Sequence, residues 1–154
     1  MVADYLVGGH GGLDVRFMGA VPIAYEAGTA DADLGEMLRY LAELPWNPDA
    51  ILQNDTLEWS VVDLLTFKVA TDIGVARAEI TFTLGPDGLI DTARAASRPY
   101  NDGKMRHDLP WHGLFWDYHQ VEGRMIPMQA EVAWVLDSQD YTYWRGKITA
   151  WAAG

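Results

Sequence analysis

An aspartate and a histidine two residues apart, Asp117 and His119, are the strongest candidates for chemistry in this sequence. On a β-strand, residues i and i+2 point to the same face, with their Cβ atoms about 7 Å apart. In an apolar environment the pKa values of such a pair are perturbed, so the imidazole can act as a general base that the carboxylate orients. The pair therefore predicts acid/base catalysis, provided that its face of the strand is buried.

A turn at Glu122-Gly123 decides which residues share that face. A two-residue loop pairs Val121 with Arg124 and His119 with Ile126. The face of the pair is then mostly apolar and carries Phe115, Asp117, His119, Ile126, Met128, Ala130, Val132 and Trp134. The opposite face carries Trp116, Tyr118, Gln120, Met125, Gln129 and Glu131. A three-residue bulged turn would reverse the faces and leave the pair as ordinary surface residues, so both registers stay open.

A second candidate group is the acid and base pair Glu131 and Arg145, which we expect to meet across neighbouring strands. The pair is either a structural salt bridge or part of a binding site. Arg145 lies between Trp144 and Gly146, where a guanidinium can reach an anionic head group against aromatic walls. The candidate ligand-binding residues are therefore Arg145, Glu131, Phe115, Met128, Trp134 and Tyr118.

The remaining reactive residue types show no pattern that indicates a cofactor. The four histidines, which lack the short spacings of a zinc site, are His10, His107, His112 and His119. No serine lies in a G-x-S-x-G elbow, and no Rossmann or Walker glycine pattern occurs. We predict no cofactor, although His107 and His112 could still converge with the pair on a metal.

Composition limits the class of protein and its partners. The 154 residues are 49% hydrophobic, which is enough for one β-rich domain spanning residues 1–154. The net charge of −11 disfavours nucleic acid and anionic membranes as partners. No apolar stretch of membrane-spanning length and no signal peptide is found, and cysteine is absent. We therefore expect a soluble, cytoplasmic protein that does not insert into a membrane.

The pattern along the chain predicts one main helix and a large antiparallel sheet. Short apolar runs between glycines predict two or three strands before residue 25, and Leu34, Met37, Leu38, Leu41 and Leu44 mark an amphipathic helix that Pro45 ends. Strands follow over residues 57–62, 66–71, 75–84, 89–96, 114–121, 124–136 and 141–151, with a polar loop over residues 99–109. The predicted fold is α+β, with a strongly curved antiparallel sheet of about seven to nine strands, a half-barrel, packed on the helix.

The motifs PWHGLFWDY, IPMQAEVAW and YWRGKIT, with MLRYLAELPWNPDAIL upstream, resemble an uncharacterised bacterial family known only as a domain of unknown function. The resemblance covers nearly the whole chain and implies no reaction. It implies a fold similar to the lipoprotein-carrier fold. Family members look longer at the N-terminus, so we expect this chain to lack strands at an open sheet edge, which a second copy could cover in a homodimer.

Aromatic residues recur on most elements of the sequence, where they either fill the core or line a hydrophobic pocket. The leading hypothesis is binding of a hydrophobic or lipid-like small molecule. The first alternative is a small acid/base enzyme, a hydrolase, isomerase or cyclase, that uses Asp117 and His119. The second alternative is a structural or interaction module with a filled core.

Overall fold

The computed structural model describes residues 2–7, 10–17, 21–27, 29–73, 76–101 and 105–153. Within these ranges the chain forms ten strands and two α-helices. In chain order they are β1 (Val2–Val7), β2 (His10–Phe17), β3 (Val21–Ala27), α1 (Ala30–Ala42), α2 (Pro48–Gln53), β4 (Glu58–Val61), β5 (Thr66–Ile73), β6 (Ala76–Leu84), β7 (Ile90–Asn101), β8 (Arg106–Val121), β9 (Arg124–Leu136) and β10 (Gln139–Lys147).

The first three strands form a small antiparallel sheet of order β1-β2-β3. This confirms the prediction of strands before residue 25, and their number is three. The glycine-containing links at residues 8–9 and 18–20 lie outside the described residues, as does residue 75, where a later strand was predicted to begin.

The other seven strands form one antiparallel sheet of order β10-β9-β8-β7-β6-β5-β4. Every strand in it pairs with its neighbour in the sequence, so each connection is a hairpin or a short loop. In the described part of the chain β4 and β10 do not pair with each other, so the sheet is open. A sheet-rich antiparallel fold is confirmed, whereas the strong curvature and the lipoprotein-carrier likeness stay predictions.

The main helix, α1, begins and ends for local reasons. The Thr29 hydroxyl accepts a hydrogen bond from the amide of Ala32, and Asp31 and Asp33 lie in the first turn, where the helix dipole favours negative charge. A 3-10 turn, Leu44–Trp46, follows the helix, because Pro45 cannot continue the α-helical hydrogen bonding. The predicted helix is therefore confirmed.

The core lies where α1 meets the large sheet. Leu38 and Leu41 of the helix belong to one buried cluster with Ile80, Phe82 and Phe115 of the strands. Leu41, Ile80 and Phe82 are completely buried. The helix also contacts β2 of the small sheet, so it is the element that the two sheets share.

The polar segment of residues 99–109 is mostly strand rather than loop, so that prediction was wrong. Tyr100 pairs with His107, and Arg98 pairs with Leu109. β7 pairs with β6 only as far as Arg94, and β8 pairs with β9 only from Trp111 onward. The end of the β7–β8 hairpin is therefore a two-stranded ribbon. The described side chains of this ribbon are at most half-buried, and Tyr100 packs against Trp134 of β9 at a centroid distance of 5.0 Å. Residues 102–104 of the predicted loop lie outside the described residues.

The last strand, β10, ends at Lys147 rather than continuing to Trp151 as predicted. After the strand, the amide of Ile148 still donates to the carbonyl of Met128, and the indole of Trp151 donates to the carbonyl of Trp46. Neither α1, with 13 residues, nor any other described helix has the length and apolar character needed to cross a bilayer.

Candidate functional site

The turn between β8 and β9 has the predicted two-residue form. Glu122 and Gly123 both have positive φ, 49° and 79°, as a type I′ hairpin turn requires. Val121 pairs with Arg124 and His119 pairs with Ile126. The two-residue register is therefore confirmed, and the bulged alternative is excluded.

The face assignment built on that register nevertheless fails at Asp117. This residue has a φ of 59°, and the pairing passes from Trp116↔Gln129 to Tyr118↔Pro127 without pairing Asp117. As a result Phe115 and Tyr118 both pack against the core cluster, although their spacing would place them on opposite faces of a regular strand. The prediction that Tyr118 lies opposite Phe115 was wrong, as was the prediction that Asp117 and His119 share a buried face.

Asp117 and His119 do contact each other, but in solvent. The imidazole Nε2 of His119 lies 3.1 Å from Asp117 Oδ1. The His119 side chain is 60% exposed, and the Asp117 side chain is 35% exposed. The amide of Gln129, which donates to Asp117 at 2.9 Å, and the neighbouring His119 lower the pKa of Asp117 below its usual value. The pair has an orienting hydrogen bond but lacks the burial that was expected to perturb it.

A cavity of about 400 Å³ lies between the C-terminal half of α1 and strands β7 to β10. Its volume falls in the range of small-molecule sites. One wall comes from the helix and the turn after it, and the opposite wall comes from the sheet. The lining residues are Glu36, Arg39, Ala42, Glu43, Trp46, Arg98, Trp111, Phe115, Val132, Tyr143 and Trp144.

The aromatic residues of this cavity are held by contacts with the protein. The indole of Trp46 donates to the carbonyl of Pro127 at 2.8 Å, and its ring meets the edge of Phe115 at a centroid distance of 5.3 Å. The indole of Trp111 donates to the hydroxyl of Tyr143 at 2.9 Å. Because these polar groups already have partners, the rings present apolar surface to the cavity without leaving a donor unsatisfied.

The predicted ligand-binding residues fall in different places. Phe115 lines the cavity, and Trp134 lies beside it, stacked on Tyr143 at 5.9 Å. The hydroxyl of Tyr118 donates to the carbonyl of Ile90, and burial raises the pKa of this tyrosine. Met128 is half-buried and does not line the cavity.

The expected contact between Glu131 and Arg145 is confirmed. The two residues pair across β9 and β10, and Arg145 Nε donates to Glu131 at 2.6 Å. The Arg145 side chain is 72% exposed and does not line the cavity. This geometry fits a surface salt bridge, the first of the two roles predicted for the pair.

Sequence reasoning missed most of the cavity wall. The sequence pattern predicts no element at Trp46 or Arg98, which follow the predicted helix and the predicted strand 89–96, yet both line the cavity with Arg39. Glu36, Arg39 and Glu43 are three and four residues apart, so the sequence places them on one face of the helix. No signal in the neighbouring sequence shows that this face lines a cavity together with β10.

The possible convergence of histidines on a metal is not seen in the part of the chain that the structure describes. There, His112 approaches Asp140 at 3.4 Å, and His119 approaches Asp117. Across those residues, no three histidine or carboxylate side chains come close enough together to hold an ion.

A comparison with protein-family models matches residues 1–152, almost the full chain. The chain belongs to DUF6920, a family of unknown function. The comparisons with curated proteins and with solved structures found no match. Membership of DUF6920 confirms the resemblance to an uncharacterised domain and carries no reaction or ligand with it.

Proposed function

We propose that the chain binds a hydrophobic or lipid-like small molecule in the cavity between α1 and the sheet. The observation that carries the proposal is the aromatic lining. Five aromatic side chains, contributed by the turn after α1 and by the two strands β8 and β10, surround a volume of about 400 Å³: Trp46, Trp111, Phe115, Tyr143 and Trp144. An apolar ligand that fills this space would remove from water mainly the exposed surface of Tyr143 and Trp144, because Trp111 and Phe115 are already buried. The ordering cost would be small, since Trp46 and Trp111 are already fixed by hydrogen bonds.

The proposal is tested with N-phenylnaphthylamine, a neutral probe whose fluorescence rises in apolar surroundings. We expect saturable binding to the wild-type chain. Val132→Trp, which places an indole into the lined volume, weakens the binding by about tenfold. Val135→Trp is the matched control, because Val135 is on the same strand but outside the lining, and it leaves the affinity unchanged.

Thermal unfolding of the three proteins shows that each is folded before the titration is interpreted. A wild-type chain that shows no saturable binding would contradict the proposal. That result would favour the remaining function, a structural or interaction module with a filled core.

An acid/base enzyme is the second candidate, and the observation in its favour is the hydrogen bond between Asp117 and His119. Hydrolysis of a nitrophenyl ester tests it. Turnover that His119→Ala abolishes and His107→Ala retains would support a reaction at this pair. Equal rates of hydrolysis in the two variants and the wild-type chain would contradict the acid/base enzyme.

A homodimer and a cytoplasmic location also stay proposals. The support for the homodimer is the open sheet, whose edge strand β4 runs into an exposed apolar turn. The support for the location is the absence of cysteine from the sequence.

A further inference from the structure

The charged residues of the cavity are not equally neutralised. Arg39 lies between two carboxylates on α1, Glu36 at 3.3 Å and Glu43 at 2.8 Å, one turn to either side. Its charge is therefore offset within the helix itself. Arg98, the other arginine of the lining, comes from β7 and has no such ion pair with any residue that the structure describes.

Arg98 is held by aromatic faces rather than by a carboxylate. Its guanidinium carbon lies 5.2 Å from the ring centre of Trp111 and 5.6 Å from that of Trp134. Nη2 donates one long hydrogen bond, 3.4 Å, to the carbonyl of Gly35. No carboxylate of the described residues forms an ion pair with it.

This environment leaves Arg98 with unused binding capacity. A guanidinium has five N–H donors, and among the described residues a single one is engaged, in a half-buried position between two indoles. The indole faces hold the cation in place but do not offset its charge as an anion would. A carboxylate or sulfonate oxygen on a ligand could accept two of the free donors at once.

The geometry points to an amphipathic monoanion as the ligand: a small molecule with an apolar body against Trp46, Phe115 and Trp144, and an acidic head group on Arg98. The formal charges of the four charged lining residues, two glutamates and two arginines, sum to zero, so the apolar body must supply much of the affinity. Arg145, the anion-binding residue expected from the sequence, already pairs with Glu131 in solvent. This inference rests on the proposed function, because it uses the same cavity.

Two probes of similar shape separate the head group from the body. Anilinonaphthalene sulfonate carries an anionic group that N-phenylnaphthylamine lacks. We expect both probes to bind the wild-type chain and to compete with each other, with the anionic probe binding more tightly.

Substitution of Arg98 should act on the anionic probe alone. Arg98→Met keeps most of the length of the side chain and removes its charge. It should weaken binding of the sulfonate probe by about 10- to 100-fold and leave the affinity for the neutral probe unchanged. Arg98→Lys should keep part of the preference, because it retains the charge but not the planar fork. Arg145→Met is the matched control and should change neither affinity.

The outcomes distinguish this inference from the proposed function. If neither probe binds the wild-type chain, the proposed function fails. If both bind and Arg98→Met leaves the preference for the anion intact, the cavity stands and the role of Arg98 is wrong. Equal weakening of both probes by Arg98→Met would show that Arg98 only packs the wall, and this too would overturn the inference.

Discussion

At the scale of single residues, the backbone at Asp117 decides what β8 presents to the core. A φ of 59° is rare for a residue with a side chain, and aspartate tolerates it better than β-branched residues do. Here it lets both Phe115 and Tyr118 reach the buried cluster. A local conformation therefore changes which side chains belong to the interior.

Substitutions at Asp117 should show this backbone requirement. Asp117→Val should lower the melting temperature by several degrees, because valine adopts positive φ with strain. Asp117→Gly should cost less, although it also loses the hydrogen bonds to Gln129 and His119. Thermal unfolding by circular dichroism compares the two, and an equal loss in both variants would show that the side-chain contacts, which both variants lack, matter more than the backbone angle.

Gly146 controls the position of Trp144 in the cavity wall. A Cβ added at Gly146 would overlap the six-membered ring of the Trp144 indole, which lies across it. Gly146→Ala should therefore displace this half-exposed indole and weaken N-phenylnaphthylamine binding several-fold, as fluorescence titration would show.

Gly35→Ala is the control for that change. Its added Cβ meets no atom within 4 Å, and its position inside α1 predicts a gain of about 0.5–1 kcal/mol in the free energy of unfolding. Probe affinity should stay unchanged. Unaltered binding in Gly146→Ala would mean that Trp144 does not form part of the binding surface.

Single residues were also where sequence reasoning was least complete. The turn at Glu122-Gly123 was predictable, because Gly123 accepts positive φ and because polar and apolar residues alternate in the segments on both sides of it. The positive φ of Asp117 was not, since most aspartates in strands are regular and no neighbouring residue marks the exception. The predicted burial of His119 assumed a regular strand at Asp117, and the positive φ there makes that assumption wrong.

At the scale of elements, the short helix α2 is attached to the sheet by an ion pair. Arg124 of β9 donates to both carboxylate oxygens of Asp49, at 2.8 and 2.6 Å. These hydrogen bonds hold the pKa of Asp49 below its usual value. The contact therefore stabilises the folded chain wherever Asp49 is ionised.

The pH dependence of this contact follows from the direction of the shift. Because the folded-state pKa is lowered, the stabilisation is complete above the unfolded-state value of about 4 and is lost as the pH falls through the folded-state value. Urea unfolding of the wild-type chain and Asp49→Asn should give a difference that is constant from about pH 5 to 7 and shrinks below about pH 4. A difference that persists unchanged at low pH would contradict the ion-pair origin.

Elements with a regular repeat were predictable, and elements defined by long-range pairing were not. The helical spacing of Leu34, Leu38 and Leu41 located α1, and Pro45 located its end. The ribbon formed by the ends of β7 and β8 has no such signal, because its polar and apolar residues do not follow a regular alternation. Its strand character depends on pairing between segments that the sequence alone cannot align.

At the scale of the whole molecule, the open edge of the large sheet is unusually apolar. Val61, the last residue of β4, is 83% exposed, and Leu64 in the turn to β5 is 98% exposed. The Asp63 carboxylate accepts a hydrogen bond from the amide of Leu65 and holds this turn in shape. Apolar surface at a strand edge favours association. This supports the proposed homodimer.

The oligomeric state can be read directly from light scattering after size exclusion. A homodimer through this edge predicts a mass of twice 17.1 kDa for the wild-type chain and a monomer for Leu64→Lys. Leu52→Lys, at another highly exposed position, on α2, should leave the mass unchanged. A wild-type monomer at high concentration would contradict the homodimer.

The cavity belongs to the whole molecule, since α1, the turn after it and four strands together build it. Its aromatic character was predictable from the number of tryptophans, whereas its position was not. The measurement that tests it most directly is the proton–nitrogen correlation spectrum of the seven indole groups, titrated with N-phenylnaphthylamine. Binding in the cavity predicts shifts for Trp46, Trp111 and Trp144, with Trp59 and Trp116 unmoved. Saturation that shifts Trp59 or Trp116 and leaves the three cavity indoles in place would contradict it.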